Sequence, residues 1–154
     1  MGEVELAALL CAFLAGSEHE ARQYFDVSGM KRYVRVDCET DTHVIEVGLD
    51  GKSSSRDSVH QALFFAHLTG KIPAVVMIDR DGFVGRFEHE MSHVTQAAGV
   101  VYASCREDFV VWWAQTRALR DGYGAAERDD LPEQGLVKSL CDLDALRRVP
   151  PAGY

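Results

Sequence analysis

The chain contains no apolar run long enough to cross a bilayer, which takes about 20 residues, although 47% of its 154 residues are hydrophobic. The first apolar stretch, residues 6–15, has no basic leader and follows the acidic Glu3 and Glu5. A secretory signal begins with a positively charged region, so none is expected here. These absences predict a cytoplasmic protein that makes no membrane contact.

Cysteine motifs are also missing. Cys11, Cys38, Cys105 and Cys141 lie far apart in the sequence and form no Cys-x-x-Cys pair. Cysteines used in this way in a cytoplasmic protein are normally reduced. We therefore expect four free thiols.

The chain has fewer basic than acidic residues. The chain has 16 lysine and arginine residues against 24 aspartate and glutamate residues, which gives a net charge of −8. Such a protein repels nucleic acid at long range, so nucleic acid is disfavoured as a partner unless a local basic patch exists. The length is that of one ordinary domain.

The hydrophobic pattern predicts alternating helices and strands. The first half reads as a helix over 3–15, strands over 19–27, 31–38 and 43–49, a helix over 55–69 and a buried strand over 72–79. The second half reads as a strand over 83–90, a short helix over 92–98, a strand over 100–104 and a helix over 106–119. This order predicts an α/β fold with a mixed central sheet.

The C-terminal part has a different composition. From Asp121 the chain is rich in glycine and aspartate, and Leu136, Val137, Leu140 and Leu143 predict one short amphipathic helix. We expect one domain over residues 1–120 and a partly mobile extension over 121–154.

Residues 43–55 have the order strand, glycine turn, Lys-Ser and helix that is typical of a phosphate-binding loop. A Walker A loop places four residues between its two glycines, whereas only two separate Gly48 from Gly51. Asp50 would also repel a phosphate. A solvated turn is the better interpretation.

Residues 89–93, His-Glu-Met-Ser-His, match the zinc-peptidase pattern His-Glu-x-x-His. That chemistry needs both histidines one turn apart on a single helix, with the glutamate as general base. Here the match straddles a predicted strand and helix boundary. We therefore expect His89 and His93 not to share a zinc ion, and zinc peptidase is the weaker alternative function.

Asp37 and Glu46 form the third candidate site. They lie on predicted adjacent strands joined by a short turn, so their side chains can meet on one face. Two neighbouring carboxylates repel unless a cation lies between them, and Mg²⁺ binds such oxygen ligands. The alternative is that both acids are solvated on the open face of the sheet, or that one of them pairs with Arg35 or Arg32.

The segment "RVDCETDTHVIEV" and the element order around it resemble the PD-(D/E)XK nuclease-like, or restriction-endonuclease-like, superfamily over roughly residues 3–80. The resemblance implies that Asp37 and Glu46 are the motif acids that hold Mg²⁺ (or Mn²⁺). It also implies a further ligand from the first helix, Glu5 or Glu3, and a substrate-binding or site-ordering role for Gln61.

One motif residue is missing. The family has lysine two residues after the glutamate, where this chain has Gly48, and Lys52 is the candidate replacement. The resemblance implies a weak or inactive metal-dependent phosphodiesterase acting on nucleic acid, with Asp37, Glu46 and Lys52 as its catalytic residues. The alternative is a non-catalytic interaction domain of the same fold, and homodimer formation is also open.

Overall fold

The computed structural model describes residues 1–14, 18–118 and 141–147. Its centre is a mixed sheet of six strands that lie side by side in chain order. The strands are β1 (Glu18–Val27), β2 (Met30–Glu39), β3 (His43–Leu49), β4 (Ile72–Asp79), β5 (Val101–Arg106) and β6 (Cys141–Asp142). The helices are α1 (Glu3–Phe13), α2 (Asp57–Thr69), α3 (Arg86–Ala98), α4 (Glu107–Gln115) and α5 (Asp144–Arg147). In these described ranges no helix is long and apolar enough to cross a membrane.

Strands β1 and β2 form a long hairpin. Ser28 and Gly29 make its two-residue turn with φ angles of 51° and 76°, the left-handed conformation of the turn that matches the twist of an antiparallel pair. β1 and β2 pair all the way to this turn, whereas β2 pairs with β3 only at Cys38–Ile45 and Glu39–Val44. The far half of the hairpin therefore extends beyond β3.

The centre of the sheet is parallel. Helix α2 connects β3 to β4, and the parallel pairing continues from β4 to β5. All seven residues of β3 are buried, as are Ala74–Ile78 of β4, because helices cover both faces of the parallel strands. Pro73 lies at the start of β4, where a missing N–H is tolerated. The predicted α/β class and the order of helix, three strands, helix and strand are confirmed.

The predicted strand over 83–90 is wrong. Helix α3 begins at Arg86, and the Gly85 N–H donates to the Glu88 carboxylate at 2.7 Å in a cap at its start. Glu88, Met91 and Thr95 are its buried residues, at helical rather than strand spacing. The alternation that suggested a strand is short, and its Phe83 is 77% exposed.

The expectation of free thiols is also wrong. The four cysteines form two disulfides, Cys11–Cys38 and Cys105–Cys141. The first joins α1 to β2 and the second joins β5 to β6. Residues separated by 27 and 36 positions meet only once the sheet and its helices have assembled, so sequence spacing gave no sign of the pairing.

Part of the predicted C-terminal extension belongs to the core. β6 pairs antiparallel with β5, and Leu143 and Leu146 are buried among residues of α1, α4 and the sheet. The remaining residues of the predicted amphipathic helix, at 136, 137 and 140, lie outside the described residues.

A candidate metal centre at the splitting point of the sheet

Three acidic residues lie in one row across strands β1, β2 and β3. The hairpin register pairs His19 with Cys38 and Ala21 with Val36, which puts Glu20 opposite Asp37. The next register, Cys38 with Ile45, puts Asp37 opposite Glu46. Glu20 was missed by the sequence analysis, although a two-residue turn at Ser28–Gly29 already fixes its register with Asp37.

Side chains replace the backbone ladder at this row. The Asp37 N–H donates to Oε1 of Glu46 at 3.3 Å, and the Val47 N–H donates to Oδ2 of Asp37 at 2.9 Å. Each carboxyl group therefore binds the backbone of the opposite strand. The two predicted motif acids are brought together where β2 and β3 separate.

Strand β2 also changes its orientation at this point. Val36 packs with Phe65 of α2 on one side of the sheet, whereas Cys38, two residues later, is bonded to Cys11 of α1 on the other side. Opposite this change, Glu20 has a φ of 58°, which is uncommon for a residue with a side chain. The local rotation lets the Asp37 and Glu46 side chains reach the backbone between the strands.

Both acids resist ionisation. Burial, and next the charge of Asp37, raise the pKa of Glu46 to about 9. Burial also raises the pKa of Asp37, and the charges of Glu3 and Glu20 act in the same direction. The site therefore gathers carboxyl groups where negative charge is disfavoured, and a bound cation would lower both pKa values.

The two carboxyl groups are of the chemical type that a hard divalent ion binds. With one oxygen of each acid bonded to backbone, Oδ1 of Asp37 and Oε2 of Glu46 remain as ligand atoms. Mg²⁺ is commonly held by one or two carboxylates, with water and substrate phosphate completing its shell. Asp37 is half-buried and Glu46 is only 3% exposed, so the ion would approach from the Asp37 side.

The first helix places Glu3, rather than Glu5, near the pair. The charge of Glu3 acts on both Asp37 and Glu46. Glu5 is exposed, and its Oε2 accepts the Gly2 N–H at 2.8 Å. Glu5 thus stabilises the start of α1. Glu3 is the acidic residue of α1 whose negative charge would act on an ion bound between Asp37 and Glu46.

Lys52 and Gln61 lie elsewhere. The Lys52 side chain is exposed, and the backbone N–H of Lys52 donates to the carbonyl of Leu49 at 3.2 Å. Leu49 lies three residues after Glu46, about 10 Å along an extended strand. Gln61 is exposed on α2. Neither side chain has a described contact with the carboxyl pair.

The position of the missing motif lysine is closed by packing. A Cβ on Gly48 would lie 2.8 Å from Sδ of Met77 and 2.9 Å from Cβ of Ser55. Both neighbours are buried. A side chain at this position therefore requires the strand and the turn before α2 to move apart.

A second acidic group lies at the carboxyl ends of β3 and β4. Ligand oxygens of Asp50, Asp79 and Asp81 lie within 4.8 Å of one another, close enough to hold a metal ion. These carboxylates also accept backbone N–H groups, including Arg80 to Asp50 at 2.8 Å and Gly82 to Asp79 at 2.6 Å. The sequence analysis missed this group, because its members are brought together by the parallel pairing of β3 and β4.

The argument that separated His89 from His93 is wrong. Both lie on α3, one turn apart and exposed, and their ring centroids are 4.6 Å apart. Glu90 between them forms hydrogen bonds with Arg56 and Arg86, and these two cations lower its pKa to about 2. The helical placement suits zinc, but a carboxylate of such low basicity is a poor general base.

Asp37 and Glu46 are thus the predicted acids that the fold unites, within a row that also includes Glu20. No protein-family model, curated protein or solved structure matches the chain.

Proposed function

We propose that the chain is a metal-dependent phosphodiesterase with a restriction-endonuclease-like core that acts on nucleic acid. Asp37 and Glu46 would hold Mg²⁺ or Mn²⁺, which when bound would supply Lewis-acid chemistry for a phosphodiester and an activated water. The observation that carries the proposal is that, across β2 and β3, the Glu46 carboxyl group accepts the Asp37 N–H and the Asp37 carboxyl group accepts the Val47 N–H. It supports the proposal because burial and neighbouring negative charge disfavour the ionisation of both carboxyl groups, and a bound cation relieves such an arrangement.

The proposed enzyme is slow. A lysine two residues after the glutamate would stabilise negative charge on the scissile phosphate, and Gly48 supplies no such group. Loss of one preorganised contact of this kind commonly costs about 10²–10³ in rate. Lys52 is the nearest lysine in sequence to Glu46, and it serves this role only if substrate binding brings its exposed side chain to the phosphate.

The first test measures Mn²⁺ binding by calorimetry after removal of metals with a chelator. We expect one ion per chain, lost in Asp37→Asn and in Glu46→Gln. Asp41→Asn, in the exposed turn between β2 and β3, is the matched control and keeps the ion. Binding that survives both site variants but disappears in Asp79→Asn would place the ion at the carboxyl ends of β3 and β4 and contradict the proposal.

The second test measures cleavage of single- and double-stranded oligonucleotides with Mn²⁺. We expect slow cleavage that needs both Asp37 and Glu46 and falls further in Lys52→Ala. Cleavage that persists in Glu46→Gln would show that the site has been misplaced.

The second candidate is a non-catalytic interaction domain of the same fold. The packing of Met77 and Ser55 around Gly48 favours it, since the fold has closed the position of the motif lysine. Mn²⁺ binding without any cleavage supports this alternative. Zinc peptidase is less favoured because Arg56 and Arg86 bind the Glu90 carboxylate that would have to act as the general base. Zinc-dependent peptide hydrolysis that is lost in Glu90→Gln would make zinc peptidase the favoured function instead.

A further inference from the structure

The far half of the β1–β2 hairpin is a basic ribbon on an acidic protein. Residues 21–36 carry four lysine or arginine residues and one acidic residue, Asp26, in a chain of net charge −8. This is the local basic patch that nucleic-acid binding by an acidic protein requires. The ribbon extends past the end of the β2–β3 pairing, so it is presented away from the body of the sheet.

The two faces of the ribbon differ. Alternation puts six residues on its outer face, and all six are exposed: Arg22, Tyr24, Asp26, Lys31, Tyr33 and Arg35. The inner face packs on α2, where the rings of Phe25 and Phe64 meet edge to face at 5.2 Å. The hairpin is thus anchored on α2 near Phe25, whereas its outer face and the inner-face residues next to the turn, Val27, Met30 and Arg32, are exposed.

The outer face carries three cations and one acid, Asp26, and it holds two of the cations next to each other at some cost. Arg22 and Arg35 are directly opposite each other on the two strands, a like-charge pairing that destabilises a hairpin. Glu20 offsets one of them through an ion pair with Arg35 at 3.1 Å, and Arg22 lies over the Tyr33 ring at 5.0 Å. An anion that bridged the two guanidinium groups would remove the remaining repulsion.

Aromatic rings alternate with these cations. Tyr24 and Tyr33 are 52% and 46% exposed, with ring centroids 5.9 Å apart, and Lys31 lies over Tyr24 at 4.8 Å. Stacking surfaces next to positive groups suit unpaired bases and the phosphates between them. A duplex would offer only its phosphates, because its bases are already stacked.

We propose that the outer face of the hairpin binds single-stranded nucleic acid, with Arg22, Lys31 and Arg35 on phosphates and the two tyrosines against bases. Arg35 precedes Asp37 by two residues, so the bound strand leads toward the carboxyl pair. This inference shares with the proposed function the premise that nucleic acid is the ligand. It does not depend on the metal ion, and binding is measured with a chelator present.

The test is fluorescence anisotropy with a labelled oligothymidylate of about 20 nucleotides and with a duplex of equal length. Three phosphate contacts predict a salt slope of about −2, or roughly 20-fold weaker binding between about 50 and 200 mM salt. Arg22→Ala should reduce the slope by about 0.7. Tyr24→Ala should weaken binding roughly tenfold.

Arg32→Ala is the matched control, since it removes the same charge from the same ribbon on the inner face, opposite Phe25. It should keep most of the affinity and the slope. The proposal would be overturned if Arg22→Ala and Arg32→Ala lost equal affinity for the oligothymidylate. It would also be overturned if the duplex bound more tightly than the single strand, or if neither bound. A chain that dimerises through Tyr24 and binds no oligonucleotide would overturn it as well. Mn²⁺ binding by Arg22→Ala should match that of the wild type, so failure of the ribbon and failure of the metal site are distinguishable.

Discussion

Glu46 is a carboxyl group buried within the sheet, and its pKa of about 9 lies far above the ordinary value of 4.5. Between these values the folded protein binds more protons than the unfolded chain. The free energy of unfolding therefore falls as pH rises from about 4.5 to about 9 and levels off above that range.

The predicted slope is at most about 1.4 kcal/mol per pH unit. Urea denaturation at several pH values with a chelator present measures it. Glu46→Gln should flatten the slope, and Glu18→Gln at the exposed start of β1 should not. Added Mn²⁺ should also flatten the wild-type slope. A wild-type stability that does not vary across this range would show that Glu46 is solvated.

Gly48 is a packing position of β3. Because an added Cβ would meet Met77 and Ser55 at less than 3 Å, Gly48→Ala should lower the free energy of unfolding by about 1–3 kcal/mol. Gly51→Ala is the matched control, since no atom lies within 4 Å of its added Cβ. Equal stability of the two variants would contradict this packing. For the same reason Gly48→Lys is unsuitable for restoring a catalytic lysine.

At the scale of secondary-structure elements, the Cys11–Cys38 disulfide fixes α1 to β2 immediately beside Asp37. Closing a loop of this length stabilises a fold by about 3–4 kcal/mol through the unfolded state. The double variant Cys11→Ala/Cys38→Ala should lose about that much stability relative to the oxidised wild type. The difference should largely disappear in reducing buffer, and a difference unchanged by reductant would mean that the thiols are not paired.

At the scale of the whole molecule, the C-terminal segment completes the core. Leu146 is 8% exposed, and Leu146→Ala should cost about 2–5 kcal/mol in a denaturation experiment. Leu63→Ala, at a 41% exposed leucine of α2, should cost much less. A chain ending at residue 118 should be less stable than Leu146→Ala, since it also loses Cys141 and β6. Wild-type stability of the shortened chain would instead support the predicted boundary at residue 120.

The sequence by itself determined the order of elements up to β4 and the pairing of Asp37 with Glu46. Both depend on local signals: hydrophobic period, capping residues, and short turns that fix the register of neighbouring strands. Glu20 was available from the same register, because the turn at Ser28–Gly29 fixes its partner as Asp37.

Only the tertiary structure decided how those residues are used. Helix α3 begins within the segment predicted as a strand, because its buried Met91 packs on residues of β4, a contact that no local pattern contains. The disulfides, the closed space around Gly48 and the Asp50–Asp79–Asp81 group each join residues that are distant in sequence. Their geometry is set by how strands and helices pack, and packing depends on the whole chain at once.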